Sequence, residues 1–156
     1  MDDKNMSFTV GREEIISPDV LRLMDELSDA LETITGSSGR LSFSLDDLSG
    51  PGSLLAVARD GGGDAIGCGV IRPLDAGTAE IKRMYARDTG RGIGTAILAY
   101  LETQASGMGY HTIRLETRRV NQSAVAFYLA QGYGIIPNYG RYMGRAEAVC
   151  FEKKPV

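Results

Sequence analysis

The stretch DTGRGIGTAIL, residues 88–98, limits the fold more than any other part of the chain. Gly90, Gly92 and Gly94 alternate along it and run straight into an apolar pattern. Upstream, TAEIKRMYA (78–86) reads as a strand; downstream, Ile93, Ile97, Leu98, Leu101 and Ala105 share one face of a helix predicted over 91–107. The chain must therefore turn sharply from strand to helix. A helix start presents unpaired N–H groups and a partial positive charge, which attract phosphate. Glycines let a ligand reach those amides without meeting a Cβ. A tight turn explains one such glycine; three, with Arg91 among them, favour a pyrophosphate cradle over 89–95.

The surrounding pattern places that junction in an α/β fold. SLLAVARD (53–60), GGG (61–63) and AIGCGVIRPL (65–74) read as an antiparallel hairpin, and DAG (75–77) turns into the strand 78–86, giving a meander. Residues 6–11 suggest a short strand. Pro18 to Thr33 reads as a helix with Leu21, Met24, Leu27 and Leu31 on one face, started by Ser17-Pro18. The region 36–52, rich in glycine and serine, reads as loop around a short helical piece. HTIRLETR (111–118) is a strand, and SAVAFYLAQ (123–131) a short helix capped by Asn121 and ended by Gly132. YGII (133–136), the loop PNYGRYMGR (137–145) and a last strand over 146–153 complete a mixed sheet with helices on both faces. The whole, 1–156, reads as one domain.

Other phosphate-binding classes fit poorly. No G-x-x-x-x-G-K-[ST] string occurs. A dinucleotide fingerprint starting at Gly90 or Gly92 meets Thr95 or Ile97 where its third glycine belongs. The strand EIKRMYA is also too polar for a central parallel strand buried on both sides, and the meander before it disagrees with that fold. A net charge of −3 without a basic, aromatic-interleaved stripe excludes a nucleic-acid footprint. No apolar run approaches the ~20 residues that span a bilayer, and MDDKNMSF lacks the apolar core of a signal peptide; a cytoplasmic protein is expected. His111 is the lone histidine and Cys68 and Cys150 lie far apart, so no metal site is expected and the cysteines read as buried free thiols.

These features resemble the GNAT superfamily of N-acetyltransferases. Its signature is a strand, then [QR]-x-x-G-x-[GA], then a helix, and its loop binds the pyrophosphate of acetyl-coenzyme A. Gly90-Arg91-Gly92-Ile93-Gly94 matches the last five positions, with Thr89 at the first; the register starting at Arg87 meets the bare string but shifts the glycines two residues from the helix. Asn121, Ala124, Phe127-Tyr128 and Gln131-Gly132-Tyr133 resemble the family's N-x-x-A-x-x-[FLY]-Y-x-x-x-G-[FY] stretch. The likeness is strongest over 53–155. It implies a meander followed by a parallel pair splayed around the cofactor.

The resemblance also implies roles. Thr89, Gly90, Arg91, Gly92, Ile93, Gly94 and Thr95 would hold the cofactor's pyrophosphate. Met84, Tyr85 and Ala86 would pair their backbone with its pantetheine arm, touched by Asn121 and packed by Phe127. Tyr128 would protonate the departing thiolate, a phenol's pKa of ~10 lying above a thiol's ~8.5; on the residues alone it reads as one of two aromatics anchoring a helix. Glu80 is a general base acting through water, or a solvated carboxylate paired with Lys82 or Arg83. Glu116 holds or deprotonates the acceptor amine, or bridges Arg114 or Arg118. Arg141 binds an acceptor carboxylate or is a plain surface arginine. The function implied is acetyl transfer from acetyl-CoA to a primary amine of a small or amino-acid-like acceptor; a non-catalytic acyl-CoA sensor is the alternative. Similar proteins often dimerise, so a homodimer stays open.

Overall fold

A computed structural model describes residues 7–38, 44–48, 50–88 and 90–155. Three strands form the expected antiparallel meander, β2 (Leu54–Asp60), β3 (Ala65–Pro73) and β4 (Thr78–Ala86), and β1 (Phe8–Glu13) pairs antiparallel with β2 at its edge. The β2–β3 turn is tied by the Asp60 carboxylate, which accepts from the backbone N–H groups of Gly62 and Asp64, each at 3.0 Å. Beyond β4 the chain forms helix α2 (Ile93–Gly107), β5 (Thr112–Arg118), α3 (Gln122–Ala130), β6 (Gly134–Ile136) and β7 (Ala148–Lys153). The seven strands lie in the order β1-β2-β3-β4-β5-β7-β6. Among the described residues only β4 and β5 run parallel, over Thr78–Glu80 against Thr112–Arg114.

Helices cover both faces. The first, α1 (Pro18–Thr35), packs Val20, Leu23 and Met24 against Leu55, Val57, Cys68 and Val70. Its buried stripe is Val20, Leu23, Met24, Leu27 rather than the stripe read from Leu21, which is 42% exposed. Positions 20, 23, 24 and 27 complete an i, i+3, i+4, i+7 set, so the helix turns that side inward. It ends at Gly36 in the left-handed region (φ +81°), whose N–H returns to the Glu32 carbonyl. On the opposite face α2 buries all five residues read from its periodicity, and Tyr128 of α3 joins the same cluster. Gly67 and Gly69 of β3 let α2 sit close: a Cβ at Gly67 would stand 2.8 Å from atoms of both Ile93 and Ile97.

Two further details differ from expectation. Helix α2 begins at Ile93 rather than 91, because Gly92 is its N-cap in a left-handed conformation (φ +77°). And β4, read as too polar for a central parallel strand buried on both sides, is the fourth of seven, antiparallel to β3 and parallel to β5 over three residues, and buries Glu80 and Lys82. The soft region contains one short 3-10 turn, Leu45–Leu48; its residues 39–43 and 49 lie outside the described part, as does residue 6 of the first strand. Among the described residues no helix is long and apolar enough to cross a membrane. Cys68 and Cys150 are both buried and unbridged.

Candidate active site

The site grows out of the short parallel pairing. After Glu80 and Arg114 the two strands part, and the β4 edge from Ile81 onward has no strand partner on that side. A bulge between the pairs Val70–Lys82 and Cys68–Tyr85 bends β4 there. Its Arg83 adopts φ +55°, sparsely populated for a side chain of this size. The guanidinium that pins the bulge donates to the Met24 carbonyl at 2.6 Å and the Ser28 hydroxyl at 2.5 Å, both on α1. Between the strands opens a cleft of about 170 Å³, closed by the C-terminal half of α1 on one face and by Asn121, Ala124 and Tyr128 on the other.

The glycine junction flanks this cleft. Gly90 (φ +83°) and Gly92 (φ +77°) need their left-handed conformations, and a Cβ on either would meet no atom within 4 Å. Space is therefore open above the first amides of α2. Arg91 pairs its Nη1 with Asp88 at 3.2 Å, while its Nε is buried without a hydrogen-bond partner. The Gly94 Cβ position lies 3.6 Å from the Phe127 ring, and the Gln131 amide donates to the Thr95 hydroxyl at 3.4 Å, so α2 and α3 meet here. Ile93 is core rather than surface. Thr89 lies outside the described residues. Arg87 is engaged elsewhere: its guanidinium grips Glu26 of α1 at 2.9 Å, alongside the Tyr85 hydroxyl, which donates to Glu26 at 3.1 Å. These open glycines, the α2 amides and the orphaned Arg91 Nε suit a diphosphate.

Tyr128 lies at the cleft with its ring held edge-on by Phe127 and Tyr133, at centroid separations of 5.1 and 5.8 Å. Its hydroxyl has no hydrogen-bond partner among the described residues, and burial raises its pKa, so the phenol stays protonated. Asn121 caps α3, its side chain accepting from the Ala124 N–H at 3.3 Å, and also lines the cleft. Met84 lines it too, whereas Ala86 pairs with Gly67 at the far end of the bulge.

The two carboxylates differ. Glu80 is 1% exposed, which rules out the solvated reading. It accepts from Arg72 Nε at 2.8 Å and from the Tyr139 hydroxyl at 2.5 Å, while Lys82 stays 3.9 Å away. Cross-strand register explains Arg72, its direct partner on β3; the aromatic cover comes from the chain segment before β7. This network leaves Glu80 just outside the cleft lining. Glu116 is in that lining, paired with Arg118 at 2.7 Å, and burial raises its pKa. Arg141 is exposed on the short 3-10 helix Gly140–Tyr142. Its neighbour Tyr142 is buried and takes a 2.6 Å hydrogen bond from Lys82 Nζ. Lys82, read from sequence only as a partner for Glu80, thus joins the cleft wall, and its pKa is lowered by burial. Among the described residues no cluster of three His, Cys, Asp or Glu side chains could hold a metal.

With that geometry in hand, comparison with known proteins is specific. Residues 21–133 match the acetyltransferase (GNAT) family. The chain is 30% identical over 151 residues to the IAA acetyltransferase of Azospirillum brasilense, spanning 95% of this chain and 97% of that one. A solved structure from Klebsiella pneumoniae, proposed to be an acyl-CoA N-acyltransferase, superposes with a TM-score of 0.83 at 27% identity, covering 97% of this chain and all (100%) of that one. A GNAT family acetyltransferase from Elizabethkingia anophelis, with acetyl-CoA bound, shares the fold at a TM-score of 0.69 and 18% identity, covering 94% and 97% of the two chains. The chain belongs to the acetyltransferase (GNAT) family. It is an acyltransferase by that membership, built on the mixed sheet its sequence implied.

Proposed function

We propose that the protein transfers an acetyl group from acetyl-CoA to the primary amine of a small or amino-acid-like acceptor. The observation that carries this reading is the parting of β4 and β5 into a cleft with, among the described residues, an unpartnered phenol on one wall and the half-buried Glu116 carboxylate on the other. The α2 amides from Gly92 to Thr95 and the Arg91 side chain would hold the diphosphate of the donor. The free edge of Ile81–Ala86 offers N–H and C=O groups to an extended pantetheine arm, as a strand would be offered to a sheet. The bound donor supplies an acyl carbon activated as a thioester. An N–H of that edge would draw on its carbonyl oxygen.

The chain's own proton work follows from the two walls. Glu116, ionised, takes the proton that the acceptor nitrogen must shed as its bond to the acyl carbon forms. Burial lifts its basicity toward that task. Tyr128 gives its proton to the sulfur as the carbon–sulfur bond breaks, then recovers one from solvent. Glu80, held by Arg72 and Tyr139, positions β4 rather than meeting the acceptor.

The test is to incubate protein, acetyl-CoA and a panel of amines and to follow free thiol. Thiol release dependent on an amine supports the reading. Failure to bind acetyl-CoA by calorimetry refutes it, and binding with no turnover on any amine moves the assignment to an acyl-CoA sensor.

A further inference from the structure

We infer that the acceptor is an amino acid held as a zwitterion across the parted strands, its carboxylate on Lys82 and its amino group on Glu116. This deepens the acetyl-transfer reading and rests on it.

The register of β4 and β5, continued past its last pair, brings the two residues to the same level on either side of the gap. Glu80 faces Arg114 in the last paired step of β4 and β5. Two residues further along each strand, on the same side of the sheet, come Lys82 and Glu116. Both line the cleft. Glu116 sits opposite Cys150 of β7, on which Tyr142 packs, and the Tyr142 hydroxyl receives the Lys82 ammonium. The two charges therefore share one floor.

They sense each other but do not pair. Each perturbs the other's ionisation through space, while the ion partner of Glu116 is Arg118 at 2.7 Å. Lys82 is 9% exposed and spends one N–H on Tyr142; Glu80, at 3.9 Å, lies beyond hydrogen-bonding distance and is already answered by Arg72. An ammonium carries three donors, and a buried cation needs a partner. A carboxylate entering the cleft supplies it.

The balance of charge points the same way. Among the described residues Lys82, Arg83 and Arg118 line the cleft against the single carboxylate of Glu116. Such a wall repels a polycationic acceptor and suits one that brings an acid with its amine. Seated so, the amino group meets Glu116, the residue placed to remove its proton, and the carboxylate fixes which nitrogen is presented.

Matched substrates decide the matter. Several amino acids are each assayed beside their carboxamide and their decarboxylated amine, with acetyl-CoA saturating. The wild-type protein should favour the acid over both analogues by about 10- to 100-fold in kcat/KM, the worth of one charge-assisted hydrogen bond, mainly through KM. Lys82→Met should shrink that preference by about tenfold, whereas Lys82→Arg should keep most of it. Thermal melting establishes that each variant is folded; the wild-type comparison needs no variant. Equal use of acid and amine, or thiol release with polyamines but with no amino acid, would overturn the zwitterion site while leaving acetyl transfer standing. Absence of acetyl-CoA binding would overturn both.

Discussion

Replacing Gly67 by alanine tests how the fold aims the cradle. The new Cβ would lie 2.8 Å from Ile93 Cγ2, 2.8 Å from Ile97 Cδ1 and 3.0 Å from the Tyr85 carbonyl oxygen. Ile93 and Ile97 are 1% and 0% exposed, so neither can swing into solvent, and Tyr85 is fixed by pairing with Cys68. Relief must come from lifting the first turn of α2 off the sheet. Overpacking of this kind costs about 1–3 kcal/mol, which for a domain of this size lowers the melting midpoint by roughly 4–8 °C at the centre of that range. Ile97→Val removes one of the two clashing methyls and alone costs about 0.5–1.5 kcal/mol. In the double variant the two losses should fall short of their sum by about 1 kcal/mol, the signature of residues in contact. Urea denaturation of the four proteins measures all of this. Because Ile93 opens α2, the same displacement should raise the KM for acetyl-CoA. An unchanged midpoint for G67A, or strict additivity, would refute the claim that these glycines set the height of α2.

Tyr128→Phe keeps the ring packing and removes a hydroxyl that none of the described residues engages; kcat should fall by about 100-fold while stability moves by no more than ~0.5 kcal/mol, as thiol-release kinetics and melting will report. Glu116→Gln should lower kcat/KM and abolish the acid limb of its pH profile. Burial raises the Glu116 pKa above the usual 4.5, and the base works only when ionised, so wild-type activity declines as pH falls through that raised value. Asp19 anchors the start of α1 to Arg59 at 2.7 Å, and this pairing holds its carboxyl well below the usual range. A depressed pKa stabilises the fold above the unfolded value of 3.8 and loses that stabilisation as pH falls below it. Asp19→Asn should therefore cost about 0.5–1 kcal/mol at pH 7, with the gap between the two proteins closing in melts taken at successively lower pH.

Most of the architecture could be read locally. The alternation of 53–86 and the 3.6-residue period of 93–105 are near-neighbour signals, and the strands and α2 fall within two residues of where those periods place them. Caps were equally plain: Asn121 and Gly132 bound α3 through backbone chemistry that one residue dictates. What escaped reading depends on distance along the chain. Arg72 could have been found, since a short turn fixes the register that sets it against Glu80. Tyr139 and Tyr142 could not, because β7 inserts between β5 and β6 and carries the preceding loop across the sheet to Glu80 and Lys82. Arg83 left no signal either, for a positive φ at arginine is imposed by the bulge and its bonds to α1 rather than by its own preference.

The polarity of β4 makes sense once the cleft is seen. An ordinary central strand would bury apolar side chains on both faces, and β4 does so on the α2 face with Ala79 and Ile81. On the α1 face it buries Glu80 and Lys82 instead. Glu80 is fully answered within the protein by Arg72 and Tyr139, so it costs little and holds the tail loop against the sheet. Lys82, one step nearer the gap, is answered only in part, by the Tyr142 hydroxyl and by Glu80 at 3.9 Å. The difference between two like-placed charges on one strand coincides with the point where β5 turns away. Local departures from good core design collect where a site needs them, and here the departure ends at the first residue that a ligand, rather than the fold, is left to satisfy.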